Sequence, residues 1–429
     1  MNLKPEVVHK AIDVFGISRD LPLNYVARNG IDDFFVNSLN REKHIVVFGS
    51  SKQGKTSLRK KCLRPDDYIV IHCSNKWSLE DINTNILKRA GFEITQSTKK
   101  TSTGKNKIVA TLKSLLLPGL TTGVNAEIEN TTSTEKTTVE LELDVEDVND
   151  IISALKAMNF NKIILLEDYH YLTIEVQRDF AIALKAFHEN SKFCFIIIGV
   201  WLDENRLIIH NGDLTGRVIS VNADEWSNDE LLEVIEEGEK LLNISFTNKF
   251  KADLIEYCFE SVYIVQEACY VVCESNGILE TQGQLVEVGS NIDVSLLVKQ
   301  IVDQQSGRYN SFINNFADGF QSTVLEMHKW ILYPILTSDI TTIEKGFKYS
   351  DIRKEIQKKH PRGAELNPGN LTQSLKSTAS LQISKGIQPI ILDYDETNLR
   401  LNIVDKGFLI WLSFQDRTEL LELANLPTN

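Results

Sequence analysis

The sequence predicts an α/β fold: a parallel sheet covered by helices and carrying a phosphate-binding loop, then a helical lid, then a C-terminal winged helix-turn-helix. Three observations predict it. Short apolar runs alternate with amphipathic segments of helix length through the first half of the chain, as in a sheet buried on both faces. A glycine-rich turn directly follows the first of these runs. From Ser227 onward the pattern is helical, and it closes on two helices and a β-hairpin.

Residues 1–40 read as helical and end in a turn, with Leu21-Pro22-Leu23-Asn24 preceding Tyr25-Val26-Ala27-Arg28. The run His44-Ile45-Val46-Val47-Phe48 is the first strand. Gly49 to Thr56 then spell G-x-x-x-x-G-K-T. Glycines let the backbone curl so that successive N–H groups point at phosphate oxygens, and the helix opening near Lys55 adds its positive end. The motif therefore predicts binding of a nucleoside triphosphate by Gly49, Ser50, Ser51, Lys52, Gln53, Gly54, Lys55, Thr56 and Ser57. Lys55 is placed on the β- and γ-phosphates and the Thr56 hydroxyl on Mg²⁺.

Tyr68 to Cys73 is an apolar run of strand length, and Ser78 caps the next helix. Residues 96–143 differ: Gln96 to Lys107 reads as a mobile loop, Ile108 to Leu112 as a short helix-like piece, and 124–128 with 139–143 as a hairpin. The segment is taken as an insertion. A helix from Val145 to Met158, a strand from Lys162 to Leu166, a helix over 174–190, a strand over 193–200 and a strand over 217–221 complete the sheet.

The strand Ile163-Ile164-Leu165-Leu166 runs straight into Glu167-Asp168. Two carboxylates at the end of a buried strand, beside a phosphate loop, suit metal binding and the orientation of an attacking water. Glu167 and Asp168 are read as catalytic and metal-binding, Glu167 on the metal and Asp168 as the base. Because Asp is a methylene shorter than Glu, slow hydrolysis is expected.

Composition excludes other classes. With 42% hydrophobic and 24% charged residues, the 429-residue chain has the make-up of a soluble globular protein of two or three domains. Its formal charge of −13 argues against a general nucleic-acid coat. No apolar run reaches membrane-spanning length and no apolar leader follows Met1. The six cysteines form no C-x-x-C pair and are read as reduced core residues of a cytoplasmic protein.

On these motifs the chain resembles the P-loop ATPases of the AAA+ and STAND groups. Tyr25-Val26-Ala27-Arg28 looks like the element that lines the adenine pocket there, which adds Tyr25 and Arg28 to the nucleotide-binding set. Glu167-Asp168-Tyr169-His170-Tyr171-Leu172 looks like the second nucleotide motif with its aromatic continuation; His170 is read as packing after the strand, with sensing of the phosphate side as the alternative. Asp213-Leu214-Thr215-Gly216-Arg217 resembles the segment carrying an arginine finger, which implies a catalytic Arg217 acting in cis or from a neighbouring subunit. The resemblance covers residues 20–280. Two positions depart from the pattern: Gly199 stands where a polar sensor is usual, and Ser261-Val262-Tyr263 stands for the lid's Gly-x-Pro.

The expected organisation is an N-terminal segment over 1–40, an ATPase core over 41–225, a helical lid over 226–325 and a winged helix over 326–429. Between Lys345 and Gly386 nine Lys/Arg face three acids, a local bias suited to DNA phosphates. The expected function is an ATP- and Mg²⁺-dependent regulatory switch that hydrolyses slowly and assembles with itself or a partner protein, in prokaryotic signalling or defence. Two alternatives stand beside it: an initiator- or loader-like DNA-binding ATPase, and a non-hydrolysing ATP-binding subunit.

Overall fold

The structure is a computed structural model that describes residues 7–17, 20–28, 30–100, 106–115, 136–321 and 323–428. Its strands are β1 (His44–Phe48), β2 (Tyr68–His72), β3 (Glu93–Lys100), β4 (Asn106–Leu115), β5 (Lys136–Leu143), β6 (Ile163–Glu167), β7 (Phe195–Ile198) and β8 (Val218–Asn222). Beyond them lie β9 (Ile244–Phe246), β10 (Val286–Val288), β11 (Phe347–Lys348), β12 (Leu392–Asp395) and β13 (Arg400–Ile403).

Five strands form one parallel sheet in the order β2-β6-β7-β1-β8. Every residue of β1 and of β7 is buried, as a sheet covered on both faces requires. Alternation along β1 separates the two sides. Ile45 and Val47 pack with Phe35 of the helix Ile31–Leu39 and Leu58 of the helix Lys55–Cys62. Val46 and Phe48 pack with the helices Leu79–Ala90, Val148–Ala157 and Ile174–Asn190 through Ile82, Ile151 and Phe180. Parallel pairing brings the C-terminal ends of all five strands to one edge, where ligands of open α/β sheets bind.

The insertion is built differently from its sequence expectation. Gln96 to Lys100 belong to β3, not to a mobile loop, and Ile108 to Leu112 lie in β4, not in a helix. β3, β4 and β5 form an antiparallel sheet in which Ala110 faces Leu141. β-Branched Ile108, Val109 and Thr111 favour the extended form, and three paired strands supply the contacts that override a coil-like composition. The other half of the expected hairpin, 124–128, lies outside the described residues.

Two further differences are local. Within 1–40 the described residues hold only two helices, Ala11–Val14 and Ile31–Leu39, with Tyr25 to Arg28 irregular between them. The helical region after Ser227 is interrupted by a parallel pair, β9 with β10.

The C-terminal part contains the helices Tyr349–Lys359, Pro368–Lys376 and Thr378–Ser384 and the sheet β11-β13-β12. Asn367 caps the second helix with a reciprocal capping box and Pro368 opens it; Leu371 and Leu375 are buried beneath. One apolar core runs without a break from the helix Asn228–Leu242 to the helix Lys406–Ser413. Tyr309 bridges it, its ring 5.2 Å from that of Trp411.

Candidate functional site

A cleft of about 620 Å³ opens at the C-terminal edge of the parallel sheet. It gathers Tyr25 and Arg28 from the N-terminal segment, Ser51 to Ser57 from the glycine-rich loop, and Glu167, Asp168 and His170 from the end of β6. Gly199 and Val200 from the end of β7 join them, with Trp226, Val262, Tyr263 and Gln266 beyond. The expected binding residues thus converge, apart from Gly49 and Ser50, which form the wall behind the loop, and Arg217.

The loop takes its shape from its sequence and from one acid that sequence reasoning missed. Gly49 has φ of 145°, and a Cβ there would lie 2.9 Å from the Asp224 backbone nitrogen. That close approach lets the Asp224 carboxylate accept the Ser50 N–H at 2.6 Å. The Trp226 indole N–H donates to the Gln53 carbonyl at 3.3 Å, and the Arg28 guanidinium lies 4.7 Å over the Trp226 ring. Arg28 also donates to the Ala223 carbonyl at 2.9 Å. Tyr25 donates to Asp32 at 2.6 Å, and Asp32 in turn accepts the Arg28 N–H. The segment 222–226 therefore clasps the loop from behind. Its signal in the sequence was position: it directly follows a strand at the ligand-binding edge.

Lys55 is buried, and its ammonium donates to the Gly49 carbonyl at 2.9 Å and to the Ser50 carbonyl at 2.5 Å. Burial lowers its pKa to about 8, against the nearby charges of Asp224 and Asp168. It therefore stays a cation at neutral pH.

Glu167 closes β6 almost wholly buried and pairs with Arg59 at 2.9 Å. Arg59 projects from the helix Lys55–Cys62 and also takes the Tyr68 hydroxyl at 2.9 Å. Asp168 has φ of 59°, left-handed backbone that is costly outside glycine and that recurs at functional sites. Its carboxylate stays half exposed, with His72 at 3.6 Å. Two carboxylates and the exposed Thr56 hydroxyl at one cleft are hard oxygen donors, the set Mg²⁺ takes. The fit is best at Asp168 and Thr56, since Arg59 already neutralises Glu167.

The turn after Asp168 buries Tyr169 and His170. His170, for which the sequence left packing and a phosphate-side role open, is buried and lines the cleft. Its Nδ1 accepts the Val200 N–H at 3.3 Å. Gly199, in the usual place of a polar sensor, has no room for any side chain: a Cβ would lie 1.5 Å from the Trp201 ring.

Arg217 stands elsewhere. Its carbonyl accepts the His44 N–H at 3.0 Å, so it sits beside the start of β1. The loop begins at the other end, about 13 Å away by strand rise. The guanidinium pairs with Glu189 at 2.8 Å. Arg217 is thus not among the residues that the structure brings to the cleft of its own chain.

The helical region after Ser227 and the C-terminal part reach the loop. Lys52 lies 3.8 Å from the centre of the Tyr263 ring, the residue in the place of the expected lid proline. Gln53 donates to the Glu260 carbonyl at 3.1 Å. The Ser51 N–H donates to the Val404 carbonyl at 2.8 Å, and Val200 packs on Ile390 and Val404. Nearby, Nη1 of Arg206 donates to both carboxylate oxygens of buried Asp393, 2.9 Å to each.

Among the described residues no helix is long and apolar enough to cross a membrane. All six cysteine thiols are free.

No protein-family model matches the sequence, and no curated protein matches it. Solved structures resemble it in fold. The Walker-type ATPase PABY2304 of Pyrococcus abyssi is 13% identical with a TM-score of 0.49, over 93% of this chain and 99% of that one. The ORC2 protein of Aeropyrum pernix, in ADPNP–ADP complexes, is 12% identical with a TM-score of 0.45, over 95% of each chain. The ORC1 protein of Aeropyrum pernix, in complex with DNA, is 10% identical with a TM-score of 0.42, over 96% of this chain and 98% of that one. At these distances nothing about function passes from those proteins to this one.

Proposed function

We propose that the chain is an AAA+/STAND-like ATPase in which bound nucleotide governs how a C-terminal winged helix sits on the phosphate loop. One observation carries the reading: the Ser51 N–H, inside the loop, is bonded to the Val404 carbonyl at the root of the hairpin β12–β13. Nucleotide and C-terminal part therefore touch the same few backbone atoms, and a ligand that favours one arrangement of the loop shifts the docking equilibrium. The divisions are those read from the sequence: core over 41–225, lid over 226–325, winged helix over 326–429.

In this reading Gly54, Lys55 and Ser57 hold the phosphates. Thr56 and Asp168 would hold Mg²⁺, with Glu167 behind them, and charge neutralisation at the phosphates is the chemistry that ion would supply. Asp168 orients water. Arg59 keeps the Glu167 carboxylate aligned. Hydrolysis is slow, since Arg217 stands away from the loop of its own chain and serves only from a neighbouring subunit. The test has two arms. Phosphate release is measured on wild type and Asp168→Ala; no release from wild type overturns the enzyme reading. Mass photometry with and without ATP–Mg²⁺ is run on wild type and Arg217→Ala; assembly indifferent to both overturns the switch.

A second reading, DNA binding, is favoured by exposed Lys345, Lys348, Lys354 and Lys358 around the helix Tyr349–Lys359. Against it, Lys376 on the following helix is paired with Glu396 and Arg362 with Glu365. DNA binding that weakens steeply with salt, and further with Lys354→Glu, supports it; salt-indifferent or absent binding removes it.

A further inference from the structure

We infer that His170 is the donor that distinguishes the terminal phosphate of a triphosphate from a diphosphate, taking the place of the polar sensor that Gly199 cannot supply. The inference rests on the reading of the cleft as a nucleotide site. Its geometry is specific. His170 is 3% exposed and lines the cleft with Lys55, Glu167, Asp168 and Gly199. Its Nδ1 is committed as acceptor to the Val200 N–H at 3.3 Å. An acceptor at Nδ1 puts the ring proton on Nε2. That Nε2–H has no hydrogen-bond partner among the described residues. A buried donor left without a partner is costly, and here its residue lines the cleft read as the nucleotide site.

Two neighbours hold the ring so that this donor cannot turn away. Tyr171 lies against it with ring centres 4.1 Å apart. The Val200 N–H that fixes the tautomer follows directly on Gly199, where the Trp201 ring fills the space of any side chain. The same packing that deletes the usual sensor thus orients its substitute. Through Val200, which packs on Ile390 and Val404, the histidine is also joined to the C-terminal part.

The test is nucleotide affinity, read without turnover. Dissociation constants for ATPγS and ADP, both with Mg²⁺, are measured by calorimetry on wild type, His170→Phe and His170→Gln. His170→Phe keeps the ring volume and removes the donor; His170→Gln keeps an N–H donor. The expected result is a loss of about tenfold in ATPγS affinity for His170→Phe, ADP affinity unchanged, and recovery of most of the loss in His170→Gln. Equal losses for both nucleotides, or glutamine behaving as phenylalanine, reduce His170 to a packing residue and overturn the inference while leaving the nucleotide site standing. Wild type that binds neither nucleotide overturns both. Thermal melting of each variant separates a folding defect from a binding one, and His170→Leu, which also lacks the donor, takes the place of His170→Phe if that variant does not fold.

Discussion

At the scale of single residues, Lys55 shows how the loop holds a charge where burial disfavours it. Two backbone carbonyls take the ammonium, and its pKa falls to about 8 because burial outweighs the charges of Asp224 and Asp168. A ligand phosphate offers a full negative charge in place of those dipoles, so the cation gains on binding. Lys55→Ala should therefore weaken ATP binding by roughly tenfold to a hundredfold, the range of hydrogen bonds to charged groups. Calorimetry checks it; unchanged affinity would move the triphosphate away from this loop. Gly199 makes the complementary point about space. With Trp201 where its Cβ would be, Gly199→Ala should cost about 1–3 kcal/mol of stability through overpacking. A urea midpoint equal to wild type would mean that the indole moves aside freely.

At the scale of elements, the hairpin β12–β13 is anchored to the core by a buried charge pair. Arg206, in the helix Arg206–His210, meets Asp393 of β12, the carboxylate buried and the guanidinium mostly covered. A buried pair adds little over an apolar pair of the same volume, but half of it is a liability. Asp393→Ala should lower stability by about 3–5 kcal/mol, and the double variant Arg206→Met with Asp393→Leu should recover most of the loss. Chemical denaturation of the three proteins decides it; additive losses would deny the pairing. This pair also marks the limit of what the sequence made legible. The sheet strands were readable because bare apolar runs such as Ile163 to Leu166 have one good use. The glycine-rich loop and the acidic pair were readable because phosphate chemistry restricts which residues serve. β3 was not, since Ser, Thr and Lys on an edge look like coil until a partner strand covers them, and β4 was not, since a short apolar run such as Ile108 to Leu112 does not tell strand from helix. β11, at two residues, gives no periodic signal. Asp393 and Arg206 stand 187 residues apart, and no local pattern joins them.

At the scale of the whole molecule, the region joining core to C-terminal part is sensitive to pH. Asp203 is 3% exposed where the connection after β7 meets β12. Burial, opposed by the Asn205 N–H and Arg206 and reinforced by Asp395 and Asp393, raises its pKa from 3.8 to about 6. The folded protein thus binds this proton more tightly than the unfolded chain does. The stabilisation is fully present below pH 3.8 and is lost as pH rises through about 6, so at pH 7 the ionised carboxylate is a net cost. A shift of this size is worth at most about 3 kcal/mol. Across the same space stand His210, Lys376 and Glu396. His210, lowered to about 4 by burial, pulls the opposite way, since its folded form resists the proton between pH 4 and 6.5. The informative quantity is therefore the difference between wild type and Asp203→Asn, in which His210 cancels. The variant should be the more stable of the two at pH 7.5, and the gap should close as pH falls through about 6 toward the unfolded value. Denaturant midpoints at several pH values measure it. A gap that does not change with pH would place Asp203 in contact with water, and would loosen the joint that links nucleotide to the C-terminal part.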